Sequence, residues 1–138
     1  MTKKEIIKKL VLFSIKDKTV QNKIVGLGIV SDTQAVMLKA KTGFNLAGYK
    51  RVIDKYAIKH TLKKHGNEKQ EKLRGQIAVT EKDFENIPEI VQSQNVIFSG
   101  KNRQGKDCLL YEAKIGNTYY YVEEIRTGKK AISFKYTV

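Results

Sequence analysis

A chain of 138 residues is the size of one domain and too short for two independent cores; with 41% hydrophobic and 30% charged residues, one proline and no repetitive tract, it is a folded globule rather than a disordered arm. The lone cysteine, Cys108, excludes an internal disulfide, and the lack of any apolar run near the ~20 residues of a spanning helix, with no small-residue cleavage site after the basic amino end, gives a cytoplasmic, membrane-free expectation. The net charge of +13 sits in one half, since residues 1–75 hold 18 Lys and Arg against 6 Asp and Glu whereas 76–138 hold 9 against 8, and an excess of that size draws phosphate chains at long range.

Residues 2–13 have helical spacing, with Thr2 as cap and Ile6, Ile7, Leu10 and Val11 on one stripe. Residues 19–30 are rich in β-branched residues and glycine and read as a strand. Ser31 and Asp32 then cap a helix running to about Thr42, with Gly43 as its stop. The spacing of Val52, Ile53, Tyr56 and Ala57 predicts one long helix over 49–65, ended by Gly66. A polar loop is expected over 66–76. Thr80-Glu81-Lys82-Asp83 has the form of a capping box opening a short helix, and Pro88 suits the first turn of another, so Asp83, Glu85 and Glu89 read as helix-start carboxylates.

From 95 onward the period changes to two, with strands expected over 95–99, 107–115, 118–126 and 130–138 and short glycine-bearing connections between them. The expected fold is therefore α+β: amino-terminal helices packed on one face of a carboxyl-terminal antiparallel β-meander, the other face open. Cys108, followed by two leucines, reads as a buried packing residue rather than a nucleophile.

The chemistry-bearing residues concentrate in Lys59-His60-Thr61-Leu62-Lys63-Lys64-His65, which gathers both histidines and three lysines at the end of the predicted helix. Metal-free RNA cleavage needs a base for the 2′-hydroxyl, an acid for the departing 5′-oxygen and cations for the charge that builds on phosphorus. Histidine serves the first two tasks near neutral pH. The plain alternatives are a core histidine at His60, satisfied by a carbonyl, and a helix-end cation at His65 favoured by the dipole. Two histidines five apart and one distant cysteine do not have the spacing of a zinc site, so neither metal nor cofactor is expected. In the meander Lys114, Tyr119, Tyr121, Arg126, Ser133, Lys135 and Thr137 offer cations, hydroxyls and stacking rings, on what is otherwise an ordinary solvated sheet face.

The ordered string Lys59-His60, His65-Gly66, Arg74-Gly75-Gln76, then Thr80-x-x-Asp83-Phe84-x-x-Ile87-Pro88-x-Ile90 ahead of a β-meander, resembles the phage-associated nuclease domains of the barnase, EndoU, colicin and RelE superfamily. The resemblance runs from about Val25 to the carboxyl end within a single domain, 1–138, leaving 1–20 as a helical extension. It implies a metal-independent endoribonuclease of phages and mobile elements, toxin-like, that leaves a 2′,3′-cyclic phosphate. Carried over position by position, it implies catalytic roles for His60, His65, Arg74, Lys135 and Thr137. Lys59, Lys63 and Lys64 would hold the RNA backbone, with Tyr119 or Tyr121 stacking on a base. The family's final strand tends to place a Lys-Thr pair before an aromatic residue; here Lys135-Tyr136-Thr137-Val138 stands instead. The expected partner is RNA, whether tRNA, mRNA or rRNA, with an acidic immunity or antitoxin protein as a second partner. A non-catalytic RNA-binding module, and a basic interaction domain that binds such an acidic immunity or antitoxin protein, are the competing expectations.

Overall fold

In the computed structural model, residues 1–67, 69–70, 78–128 and 131–137 are described, the side chains of His65 and of 127–137 excepted. Helix α1, Lys3–Lys16, starts where Thr2 Oγ1 accepts the backbone N–H of Glu5 at 3.1 Å, and it buries Ile7, Leu10 and Val11. It extends past the expected stop, with Ser14 turned inward and its hydroxyl donating to the Leu10 carbonyl at 2.7 Å. Strand β1, Ile24–Ile29, leads to α2, Asp32–Thr42, capped by Ser31 and closed by Gly43 at φ 84°, a left-handed conformation that glycine adopts without Cβ strain.

The predicted 49–65 helix is in fact two elements. Residues Lys50–Asp54 form strand β2, and α3 covers only Lys55–His65. Strand β2 lies antiparallel to β1, with Val25 opposite Ile53 and Gly26 opposite Val52. On its other side it runs parallel to β6, with Arg51 opposite Ile132. Two ladders outweigh a helical spacing that Val52 and Ile53 satisfy only weakly, because β-branched residues fit a pleated, two-sided surface better than a helix. Asp54 marks the change of element: its Oδ1 accepts the Ala57 N–H at 2.8 Å and caps α3.

After α3 come a 3-10 helix, Glu81–Asn86, and the single turn α4, Ile87–Ile90, with Pro88 in its first turn. The capping box is present: Asp83 Oδ2 accepts from Thr80 N at 2.8 Å and from Thr80 Oγ1 at 3.0 Å. The meander follows as β3 (Val96–Lys101), β4 (Asp107–Ile115), β5 (Thr118–Gly128) and β6 (Ala131–Thr137), each antiparallel to the next. Gly116, at φ 62°, supplies the positive angle for the two-residue turn between β4 and β5. Among the described residues the sheet has six strands in the order β1-β2-β6-β5-β4-β3, so the expected four-stranded meander gains two strands through the parallel β2–β6 pair.

One alternating set of sheet residues, Ile53, Leu109, Tyr111 and Val122, shares a single core with Ile7 and Leu10 of α1, Leu38 of α2, Ile58 of α3, Phe84, and Ile87 and Ile90 of α4. The helices therefore cover one face. Each such fully buried aliphatic side chain contributes about 1.5–3 kcal/mol. Cys108 is buried, as expected of a packing residue, with its Sγ 3.5 Å from the Lys106 carbonyl. No helix among the described residues is long and apolar enough to cross a membrane.

Candidate active site

Helix α3 carries the candidate histidines, and its first turn is unusually tied down. Lys55 is 1% exposed and its Nζ contacts Asp17 Oδ2 and the Thr19 carbonyl, both at 2.9 Å. One turn later Lys59 Nζ donates to the Asp17 carbonyl at 2.5 Å. Lys59, expected to grip substrate, thus spends one of its donors on the protein. His60 is exposed, not buried among apolar neighbours, so the core-histidine alternative does not describe it. The reason is the shortened helix: with Ile53 in a strand, the inward side of α3 is set by Ile58 and Thr61, and Tyr56 and His60 point outward. Lys63 and Lys64 are exposed on the same helix.

His65 is the last residue of α3, and the Gly66 N–H closes the helix on the Leu62 carbonyl at 2.9 Å. A Cβ at position 66 would run into that same carbonyl, which accounts for glycine there. The His65 side chain lies outside the described residues, and so does all of Arg74.

The strand candidates are placed by register. Lys135 stands opposite Glu123, and Thr137 opposite Tyr121, which on its other side stands opposite Glu112 of β4. Since Val122 and Glu124 are buried in the core, the positions 121 and 123 belong to the opposite face, and Lys135 and Thr137 with them. Tyr119 and Tyr121 share that open face. Tyr119 is 53% exposed, with Lys114 Nζ 5.5 Å from its ring centroid. The Glu112 carboxylate beside Tyr121 holds its phenol above the ordinary value, so it stays a neutral donor. Helix α3 packs against β6 from the core side, so the histidine group and the strand group occupy the two sides of one strand.

A groove of about 480 Å³ between α1 and the 3-10 helix is lined by Lys8, Val11, Leu12, Glu81, Lys82 and Glu85 and holds none of the candidate site residues. Among the described residues, no three His, Cys, Asp or Glu side chains gather as metal ligands.

Inside the core lies a polar cluster that no local spacing announces. Arg51 Nε donates to Glu124 Oε2 at 3.0 Å, its Nη2 to the Tyr111 hydroxyl at 3.3 Å, and its Nη1 to Gln34 Oε1, while the Tyr111 hydroxyl donates to Glu124 Oε1 at 2.6 Å. Burial raises the Glu124 carboxyl above its ordinary value, against the Arg51 charge, which pulls it down. The Tyr111 phenol is raised as well, by burial and then by the Glu124 charge. With Glu124 1% exposed and Arg51 5%, substrate does not reach them; they fasten β2 to β4 and β5. The signal for Glu124 lies in its alternation, since it is in phase with Val122 on the apolar face.

The family model described as phage-Barnase-EndoU-ColicinE5/D-RelE like nuclease3 matches residues 28–135. That span includes α3, both histidines and the start of the Lys135–Thr137 pair. No curated protein and no solved structure gives a significant match.

Proposed function

Because the chain belongs to the phage-Barnase-EndoU-ColicinE5/D-RelE like nuclease family, we propose that it is a metal-independent endoribonuclease, toxin-like and cytoplasmic, cutting RNA by transesterification. The supporting observation is an exposed His60 standing with Lys63 and Lys64 on α3, inside the matched span of a strongly basic chain. An imidazole in that position can take the proton of a ribose 2′-hydroxyl near neutral pH. The alkoxide then attacks the adjacent phosphorus, the P–O5′ bond breaks, and an acid returns a proton to the departing 5′-oxygen. A 2′,3′-cyclic phosphate and a free 5′-hydroxyl result.

On this reading His65 is the second proton carrier and Arg74 holds the charge of the phosphorane-like transition state, while Lys135 and the Thr137 hydroxyl, on the other side of β6, meet the RNA away from the reacting phosphate rather than at it. Lys59, Lys63 and Lys64 hold the RNA backbone, and Tyr119 or Tyr121 stacks on a base. A strand of RNA that touched both α3 and Lys135 would pass from one side of the sheet to the other. Single-stranded RNA bends that sharply where a duplex does not, so an unpaired stretch is the expected target. The same basic surface would receive an acidic immunity or antitoxin protein in competition with RNA.

Purified protein and its His60→Ala variant, incubated with labelled total RNA in EDTA, provide the decisive comparison. Discrete cuts with cyclic phosphate ends are expected from the parent protein. The variant should lose about 100-fold or more in rate while its RNA affinity stays within a few-fold. Equal cleavage by the two would remove His60 from the mechanism. Intact RNA that still shifts on a native gel would point to a binding module.

A further inference from the structure

The segment 17–23 precedes the family match, which begins at 28, yet Asp17, Thr19, Val20, Asn22 and Lys23 each bond to the start of α3 or to its cap, Asp54. Asp17 and Thr19 hold Lys55 as described. The Tyr56 N–H donates to Asn22 Oδ1 at 3.2 Å, Asn22 Nδ2 donates to Asp54 Oδ2 at 3.2 Å, and the Tyr56 hydroxyl donates to the Val20 carbonyl. The Lys55 N–H closes on the Lys23 carbonyl at 2.9 Å. A lysine buried to 1% requires a charged partner, because an unpaired ammonium in that setting costs several kcal/mol.

Lys55 and Lys59 are one helical turn apart and therefore lie on one side of α3, about 6 Å along its axis. Both reach the same residue, the first to the Asp17 carboxylate and the second to its carbonyl oxygen. Two bonds from one point to two successive turns fix how far a helix is rotated about its own axis, which one bond would not. His60 follows Lys59 directly, so its direction is fixed with that rotation.

We propose that Asp17 is a positioning residue: by gripping Lys55 and Lys59 it sets the rotation of α3, and thereby the direction in which His60 meets the substrate. This rests on the reading of His60 as the acid or base. The first twenty residues are then more than an appended helix, since their loop holds the catalytic helix from outside the family's shared span.

The full chain, Asp17→Asn and Asp17→Glu would be compared for RNA cleavage and for the imidazole proton signals in NMR, where only two histidines need assigning, with His65→Gln to tell them apart. In Asp17→Asn the His60 ring signal should move, and kcat should fall about tenfold with KM within about twofold. Asp17→Glu should recover most of kcat. Should Asp17→Asn not fold, Asp17→Asn/Lys55→Met leaves no unpaired buried charge and carries the same expectation. An unmoved His60 signal with unchanged kcat in a folded variant overturns the proposal. A parent protein that cuts no RNA, but whose His60 signal moves in Asp17→Asn, ends the nuclease reading while the positioning of His60 by Asp17 stands.

Discussion

Arg51 and Glu124 depend on each other more than on anything else in the core. Removing one partner of a buried ion pair leaves a charge with neither water nor counter-ion, so Arg51→Met should lower the unfolding free energy by about 3–5 kcal/mol in urea titration. Arg51→Met/Glu124→Leu should regain most of that loss, because the unpaired charge is gone. Recovery absent in the double variant would mean that Arg51 acts through packing instead. Asp17 gives a different signature. Its carboxyl is lowered from 3.8 to about 2, chiefly by the hydrogen bond from Lys55 and then by the Thr19 N–H. A lowered folded value means that its stabilisation is complete above the unfolded value and is lost as pH falls toward 2. Thermal unfolding from pH 5 down to pH 2 should therefore show a steeper loss in the parent than in Asp17→Asn. Parallel curves would refute the linkage.

At the scale of elements, the cap on α3 is open to a simple measurement. Asp54→Ala removes the acceptor for Ala57 N–H and for Asn22, and should cost about 1 kcal/mol with faster amide exchange in the first turn of α3. Features written in a few adjacent residues were readable from the sequence: the Thr2 and Ser31 caps, the Gly43 stop, the Thr80–Asp83 box and the Gly116-Asn117 turn all sit where local chemistry puts them. Strand β2 was not readable, because what makes Lys50–Asp54 a strand is pairing with residues 24–29 on one side and 131–133 on the other. That single misreading also hid Arg51 as a core residue and turned His60 inward. The histidine helix itself was legible as an unusual cluster, but the anchoring of Lys55 and Lys59 on Asp17 joins residues far apart in sequence, and no spacing rule announces it.

At the scale of the whole molecule the net charge of +13 is what can be tested. If the exposed lysines of α3 meet the phosphate backbone, affinity for single-stranded RNA must fall steeply with salt, by about 0.7 in the logarithmic slope for each phosphate neutralised. Lys63→Ala/Lys64→Ala should reduce that slope by about 1.4 across all sequences tested. An unaltered slope would place the RNA elsewhere, and the open sheet face with Lys114 and Tyr119 would be examined next. The arrangement of the sheet has a consequence for how the protein comes into being. Strand β6 lies between β2 and β5, so it is the piece that joins two halves made earlier. While a ribosome still covers residues 131–137, β1 and β2 have only each other, β5 has one bare edge, and the groups assigned to Lys135 and Thr137 are not yet in place. Until that strand has emerged the two halves of the sheet cannot be joined, and the family's fold stays incomplete.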